Sequence, residues 1–131
     1  MKKSITDISV LVVEDEPTLN AAYVRILESG NMQAQTSFNG EEALAKLEEM
    51  DPDVILLDLK MPKMSGLEFL SVFSKMKPQR KAKVIIFSNY DKQAEIQEAF
   101  ELGAAKYMLK AWASPKELIK VIQETSQLAN S

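Results

Sequence analysis

The sequence has 131 residues, 46% of them hydrophobic and 27% charged, so it fits one globular domain with a substantial core. The 16 basic and 19 acidic residues give a formal net charge of −3, which does not indicate a nucleic-acid-binding surface. Cysteine and histidine are absent, which excludes disulfide bonds, imidazole metal ligands and phosphohistidine on this chain. Any chemistry must use carboxylates, hydroxyls and lysines.

The first residues do not predict a secretory signal, because Asp7 interrupts a short apolar run and acids stand where a cleavage site needs small residues. We therefore expect a cytoplasmic protein without membrane insertion.

Five segments have the composition of β-strands. Three are continuously apolar and rich in β-branched residues, which is typical of central strands covered on both faces: residues 9–13, 54–57 and 84–87. Two mix polar and apolar residues and suit the exposed edges of a sheet: residues 32–38 and 106–110.

Five amphipathic helical patterns follow the strands. The fifth begins at Ser114, which fits the N-cap, with Pro115 at the first helical position and Glu117 placed for a capping box. The fourth covers residues 91–102. The predicted inner faces of the first and fourth helices carry Leu19, Ala22, Tyr23, Ile26 and Leu27, and Ile96, Ala99 and Phe100.

Five strands alternating with five helices predict an α/β domain, a (βα)5 doubly wound parallel sheet. Since polar strands belong at the edges and crossovers are right-handed, the strand order 2-1-3-4-5 of flavodoxin-like folds satisfies the pattern. The winding then reverses between strands 1 and 3, and ligands bind beyond the carboxyl ends of strands at such a reversal.

Acidic residues follow both strands at this reversal. Glu14 and Asp15 come after the first strand and Asp58 after the third. Three carboxylates in one crevice repel each other, so their convergence predicts a bound hard cation such as Mg²⁺.

Two other strand ends carry groups that suit a phosphoryl ligand, Ser88 after the fourth strand and Lys110 at the end of the fifth. A hydroxyl and an ammonium facing a carboxylate-bound metal make a site for phosphoryl transfer. Asp58 is the natural nucleophile of this set, because the other acids serve better as metal ligands.

These residues lie in the motifs "LVVEDEP", "DVILLDLKMPKMSGLEFL", "VIIFSNY" and "GAAKYMLK". With these four motifs in order on the proper strands, the chain resembles the CheY-like receiver domain of two-component response regulators, over essentially its whole length. The resemblance implies a single receiver domain at residues 1–131, with its core at about residues 8–127 and no output domain.

The resemblance also implies a function. Asp58 would accept a phosphoryl group from a histidine kinase or a histidine phosphotransfer protein, with Mg²⁺ as cofactor and Mn²⁺ able to substitute. Asp15, Asp58 and the backbone carbonyl of Lys60 would bind the metal directly, and Glu14 would act through water. The domain would not be an enzyme, although it would catalyse its own phosphorylation and dephosphorylation.

Ser88 and Lys110 would bind the phosphoryl oxygens, and Tyr107 matches the aromatic residue that swings inward when Ser88 moves. The fourth helix, fifth strand and fifth helix would present an output face to a downstream protein, and a homodimer is left open. Trp112 is a candidate partner contact.

Three departures from the family pattern stand out. Glu14 occupies a position where many members carry Asp, and Ala111 follows Lys110 where the family usually has proline. By the same resemblance, Lys60 and Tyr90 would flank the approach of a hydrolytic water, and their bulk predicts slow loss of the phosphoryl group.

Three alternative functions fit the sequence less well. A Mg²⁺-dependent aspartyl-phosphate phosphohydrolase typically has a second acid two residues after its nucleophile, where Lys60 stands here. The full acidic and lysine set argues against a receiver that signals without phosphate, and the lack of a phosphate-cradling loop after the first strand argues against a flavin-binding relative.

Overall fold

The computed structural model describes residues 8–76, 80–89 and 92–128. These residues form a five-stranded parallel sheet of order β2-β1-β3-β4-β5, which confirms the predicted topology. The strands are β1 (Ser9–Val13), β2 (Gln33–Ser37), β3 (Val54–Leu57), β4 (Lys83–Ser88) and β5 (Lys106–Leu109). The helices are α1 (Pro17–Ser29), α2 (Gly40–Lys46), α3 (Gly66–Ser74), α4 (Gln93–Glu101) and α5 (Pro115–Ser126), with a short 3₁₀ turn at Lys110–Trp112.

The core has two layers, one on each face of the sheet. Successive residues of a strand point to opposite faces, so Leu11 packs with α2, α3 and α4, whereas Val10 packs with α1 and α5. Both residues are fully buried. Burial on both faces explains why the central strands are continuously apolar, and the partly exposed strands β2 and β5 lie at the edges as predicted.

Several boundaries differ from the sequence prediction by one or two residues. β2 covers residues 33–37 and not 32–38, and β4 covers residues 83–88 and not 84–87. The fifth strand was expected to include Lys110, but β5 ends at Leu109 and Lys110 begins the 3₁₀ turn. The fourth helix begins at Gln93, and Asp91, its predicted first residue, lies outside the described residues.

The predicted inner faces of two helices were partly wrong. In α4 the sheet covers Ala99, and Phe100, about 100° further round the helix, is 44% exposed. In α1 Leu19 and Ala22 are exposed, whereas Asn20 is buried. A buried amide on the inner face of α1 indicates polar partners beneath it, which belong to the site described below.

Helix starts follow the capping chemistry of the sequence. Pro115 occupies the first turn of α5, and Ser114 accepts a hydrogen bond from the backbone N–H of Glu117 at 3.1 Å. A complete capping box, with bonds in both directions, forms at α3 between Ser65 and Glu68. None of the helices in the described part of the chain is long and apolar enough to cross a bilayer.

Gly66 allows α3 to begin against the end of β3. Its backbone N–H donates to the carbonyl oxygen of Leu59 at 2.9 Å. A Cβ atom at this position would lie 2.3 Å from the backbone oxygen of Asp58 and 2.7 Å from the Cα of Leu59. Because both obstructing atoms belong to the backbone, a side chain here must displace either α3 or the segment that carries Asp58.

We expect Gly66→Ala to destabilise the domain by about 1–3 kcal/mol, because the added methyl group overlaps backbone that no rotamer change can move. Urea unfolding measures the loss. Gly30→Ala is the matched control, since its Cβ meets chiefly the flexible end of the Ile119 side chain. Equal stability of Gly66→Ala and wild type would show that the backbone adjusts freely.

Candidate functional site

The strand order brings the predicted site residues to one edge of the sheet. Val13 and Leu57 are paired at the ends of β1 and β3, so the acids that follow them leave adjacent strands side by side. Ser88 ends β4 and is paired with Leu109, the residue before Lys110. The site therefore draws on four neighbouring strands.

Lys110 is the central charge of the site. Its Nζ atom donates to Oδ2 of Asp58 at 2.9 Å and to Oε1 of Glu14. The three side chains are 9%, 9% and 4% exposed for Lys110, Asp58 and Glu14 respectively. Buried charges of this kind are tolerated only when they are paired, so one ammonium holds two carboxylates in place.

The second oxygen of each carboxylate accepts a backbone hydrogen bond. Oε2 of Glu14 accepts from the N–H of Glu16 at 3.1 Å, and Oδ1 of Asp58 accepts from the N–H of Lys60 at 3.3 Å. These bonds fix the orientation of both acids, because each carboxylate is held at both of its oxygens.

Burial and ion pairing act in opposite directions on the titration of these groups. Burial raises the pKa of Glu14 above its ordinary 4.5, although the bonds from Lys110 and Glu16 oppose the rise. Burial alone would lower the pKa of Lys110, but the bonds to Glu14 and Asp58 outweigh it and raise the pKa above 10.5. The ammonium is therefore strongly held as a cation.

Asp15 completes an acidic cluster. Glu14, Asp15 and Asp58 each offer a carboxylate oxygen, and these three oxygens lie within 4.8 Å of one another. One ammonium does not balance three carboxylates, and oxygen donors are the ligands that Mg²⁺ prefers. The donor set therefore fits a hard divalent cation, as the sequence predicted.

Two supporting residues were missed by the sequence analysis. Nδ2 of Asn20 donates to the backbone oxygens of Glu14 at 2.9 Å and of Ser37 at 3.1 Å, which fixes the turn after β1. The ring centre of Tyr23 lies 5.9 Å from Nζ of Lys110, within the range of a cation–π contact. The sequence signals Asn20 only as a polar residue among apolar neighbours, and helical periodicity assigns Tyr23 to packing alone.

The remaining predicted residues occupy the expected elements. Ser88 is 2% exposed, and Tyr107 is partly buried on β5, where it packs against the core layer that contains α3 and α4. The side chain of Lys60 is exposed, while its backbone N–H faces Asp58. Tyr90, predicted to hinder a hydrolytic water, lies outside the described residues.

The raised pKa of Glu14 predicts a pH-dependent stability. Since the pKa in the folded state exceeds that in the unfolded chain, ionisation of Glu14 costs stability as the pH rises above 4.5. We expect Glu14→Gln to gain stability relative to wild type as the pH rises above 4.5, until Glu14 is fully ionised in the folded protein. Urea unfolding in EDTA measures the difference, with Glu28→Gln on the exposed side of α1 as control. A difference that does not change with pH would contradict the burial of an ionised Glu14.

Comparisons with known proteins identify the family. The profile of the response regulator receiver domain matches residues 10–123. The chemotaxis protein CheY of Thermotoga maritima is 30% identical over 124 residues, which cover 90% of this chain and 97% of that protein. The protein-glutamate methylesterase/protein-glutamine glutaminase of Treponema denticola is 36% identical over 123 residues, 91% of this chain. The chain spans only 27–32% of the length of the methylesterases it matches.

Solved structures of response regulators are also similar to this chain. CheY4 of Vibrio cholerae has a TM-score of 0.83 at 26% identity, covering 90% of this chain and 98% of that one. The response regulator TrrA of Thermotoga maritima, solved in complex with Mg²⁺-BeF, has a TM-score of 0.79 at 29% identity and covers 91% and 99% of the two chains. With its sheet order, its acidic edge and a match over residues 10–123, the chain belongs to the receiver domain family of two-component response regulators.

Proposed function

We propose that this receiver domain is a phosphoacceptor switch in which Asp58 takes a phosphoryl group from a histidine kinase or a histidine phosphotransfer protein. One observation carries the assignment. The carboxylate of Asp58 lies 2.9 Å from the ammonium of Lys110 and within the acidic cluster that it forms with Glu14 and Asp15. A nucleophile, a cation and a candidate metal site thus meet at one edge of the sheet.

The transfer is a single displacement at phosphorus. A carboxylate oxygen of Asp58 attacks the phosphorus atom while the bond to the donor breaks, and the leaving group departs with the bonding electrons. With acetyl phosphate as donor, the leaving group is acetate. Lys110 stabilises the negative charge on the phosphoryl oxygens, because its ammonium already points at Asp58 from a buried position.

We assign the metal ligands from the same cluster. Asp15, Asp58 and the backbone carbonyl of Lys60 would bind Mg²⁺ directly, Glu14 would bind it through water, and Mn²⁺ would substitute. A bound Mg²⁺ supplies neutralisation of the phosphoryl oxygens. The cluster of three oxygen donors supports this assignment, and so does the Mg²⁺-BeF complex of TrrA.

Ser88 and Tyr107 form the proposed switch. Ser88 ends β4, and Tyr107 is paired with Ile86 of the same strand, so movement of β4 reaches the tyrosine directly. A hydroxyl that binds the phosphoryl group in only one of two conformations biases the equilibrium between them. A shift from 1:99 to 99:1 needs about 5.5 kcal/mol of differential binding.

We place the output on the face formed by α4, β5 and α5, where a downstream protein would bind. Phe100 on α4 is 44% exposed and Trp112, on the turn that leads into α5, is 79% exposed. Exposed aromatic residues are frequent anchors of protein interfaces. Self-association through this face is the alternative use.

Catalytic turnover on a separate substrate is not part of the proposal. The receiver domain of Thermotoga maritima CheB alone is similar to this chain, with a TM-score of 0.82 at 28% identity. The likeness to methylesterases therefore supports a shared receiver domain. The phosphohydrolase alternative is not favoured by the family match.

Incubation with acetyl phosphate and Mg²⁺ tests the acceptor. We expect intact mass to show one added phosphoryl group on wild type and none on Asp58→Asn, because the amide is a poor nucleophile. A mass shift that persists in Asp58→Asn would refute Asp58 as the acceptor. Continuous release of phosphate over many turnovers would instead favour the hydrolase.

Metal binding is tested without phosphorylation. We expect Mg²⁺ at ten times its dissociation constant to stabilise the wild type by about 1.4 kcal/mol, because the ion binds only the folded acidic cluster. Thermal unfolding at increasing Mg²⁺ concentration measures this effect. Asp15→Asn should lose most of the shift, whereas Asp51→Asn, an exposed acid outside the cluster, should keep it. An undiminished shift in Asp15→Asn would exclude Asp15 as a ligand.

A further inference from the structure

The side chain of Asn89 joins the end of β4, which carries Ser88, to the 3₁₀ turn that begins at Lys110. Oδ1 of Asn89 accepts a hydrogen bond from the backbone N–H of Ala111 at 3.0 Å, between residues 22 positions apart. Asn89 directly follows Ser88, and Ala111 directly follows Lys110. The bond therefore links the segments that position the hydroxyl and the ammonium of the site.

This bond lies just past the end of the sheet. The pairing of β4 with β5 ends at Ser88 and Leu109, after which the chain enters a bend at Asn89 and a 3₁₀ turn at Lys110–Trp112. Where the backbone ladder stops, the amide of Asn89 continues the connection between the two strands. The tip of Lys110 is held by Glu14 and Asp58, and the Asn89–Ala111 bond restrains the backbone at the base of the same side chain.

We propose that Asn89 is a positioning residue for phosphorylation, which fixes the hydroxyl of Ser88 and the ammonium of Lys110 relative to each other through Ala111. The inference rests on the proposed function, in which both groups bind one phosphoryl group on Asp58. Two groups that converge on one ligand must be held within about 0.5 Å of their productive geometry. A bond between the residues that immediately follow them provides that restraint.

Because this hydrogen bond is exposed to solvent, its effect on the position of the site residues can be measured separately from its effect on the stability of the domain. Asn89 and Ala111 are both exposed, and a solvent-exposed hydrogen bond contributes little to the stability of the whole domain. Its effect falls instead on the local geometry of two short segments. The donor is also specific, because a proline at position 111 would have no N–H to offer.

A simpler role for Asn89 is to satisfy the N–H of Ala111 in the first turn of the 3₁₀ segment, as a capping residue does. Such a role would affect the turn but not the chemistry at Asp58. The test therefore needs one measurement of the bond and one of phosphorylation.

The variants are Asn89→Leu, which keeps the size but removes the acceptor, and Asn89→Asp, which keeps an acceptor oxygen. Amide hydrogen exchange of Ala111, followed by NMR in the unphosphorylated protein, reports the bond alone. We expect exchange to accelerate about 2- to 10-fold in Asn89→Leu and to stay close to wild type in Asn89→Asp. Unchanged exchange in Asn89→Leu would overturn the positioning role, whatever the fate of the proposed function.

The second measurement is the rate of phosphorylation by acetyl phosphate and Mg²⁺. We expect a reduction of about 2- to 10-fold in Asn89→Leu, with recovery in Asn89→Asp and with thermal stability near that of wild type. Ala111→Pro removes the donor, so adding Asn89→Leu to it should cause little further loss. Faster exchange at Ala111 with an unchanged phosphorylation rate would leave Asn89 a capping residue and refute the proposal. Failure of wild type itself to be phosphorylated would refute the proposed function separately.

Discussion

The ammonium of Lys110, shared between two buried carboxylates, is the interaction on which the site depends. Glu14 and Asp58 leave neighbouring strands so close together that their charges repel, and burial deprives both of water. Lys110 compensates by donating to each of them. Because the pairing raises the pKa of Lys110 above 10.5 despite burial, the lysine is charged at neutral pH.

The parallel topology of the sheet brings these carboxylates together, and the same topology provides a crevice in which they can bind a ligand. A parallel sheet places the carboxyl ends of all its strands at one edge, and the reversal of winding between β1 and β3 opens a crevice there. Tight local packing then fixes the acids within the crevice. Gly66 lets α3 begin against the backbone of Asp58, and Asn20 bonds to the backbone at Glu14 from the opposite layer.

A shared cation also couples the strands that surround it. In the proposed function, a phosphoryl group on Asp58 adds negative charge beside Lys110 and competes with Glu14 for the same ammonium. A change in the pairing of Lys110 would then affect β1 through Glu14 and β5 through Lys110 itself. The Asn89–Ala111 bond joins the ends of β4 and β5 beyond their last paired residues. The segments that carry Ser88 and Lys110 are therefore linked by this side-chain bond as well as by the backbone hydrogen bonds of the sheet.

The sequence by itself determined the sheet order and the main groups at its edge, because both follow from patterns along the chain. Apolar runs identify strands that are buried on both faces, and the residues after those strands must lie at one edge, which placed Glu14, Asp15, Asp58 and Lys110 together. Only the tertiary structure decided which side chains support them. Four features depend on contacts between elements that are distant in sequence. They are the exposure of Phe100, the burial of Asn20, the position of Tyr23 beside Lys110 and the hydrogen bond from Ala111 to Asn89. Local periodicity cannot specify such contacts, because it describes the face of one helix or strand and not what packs against it.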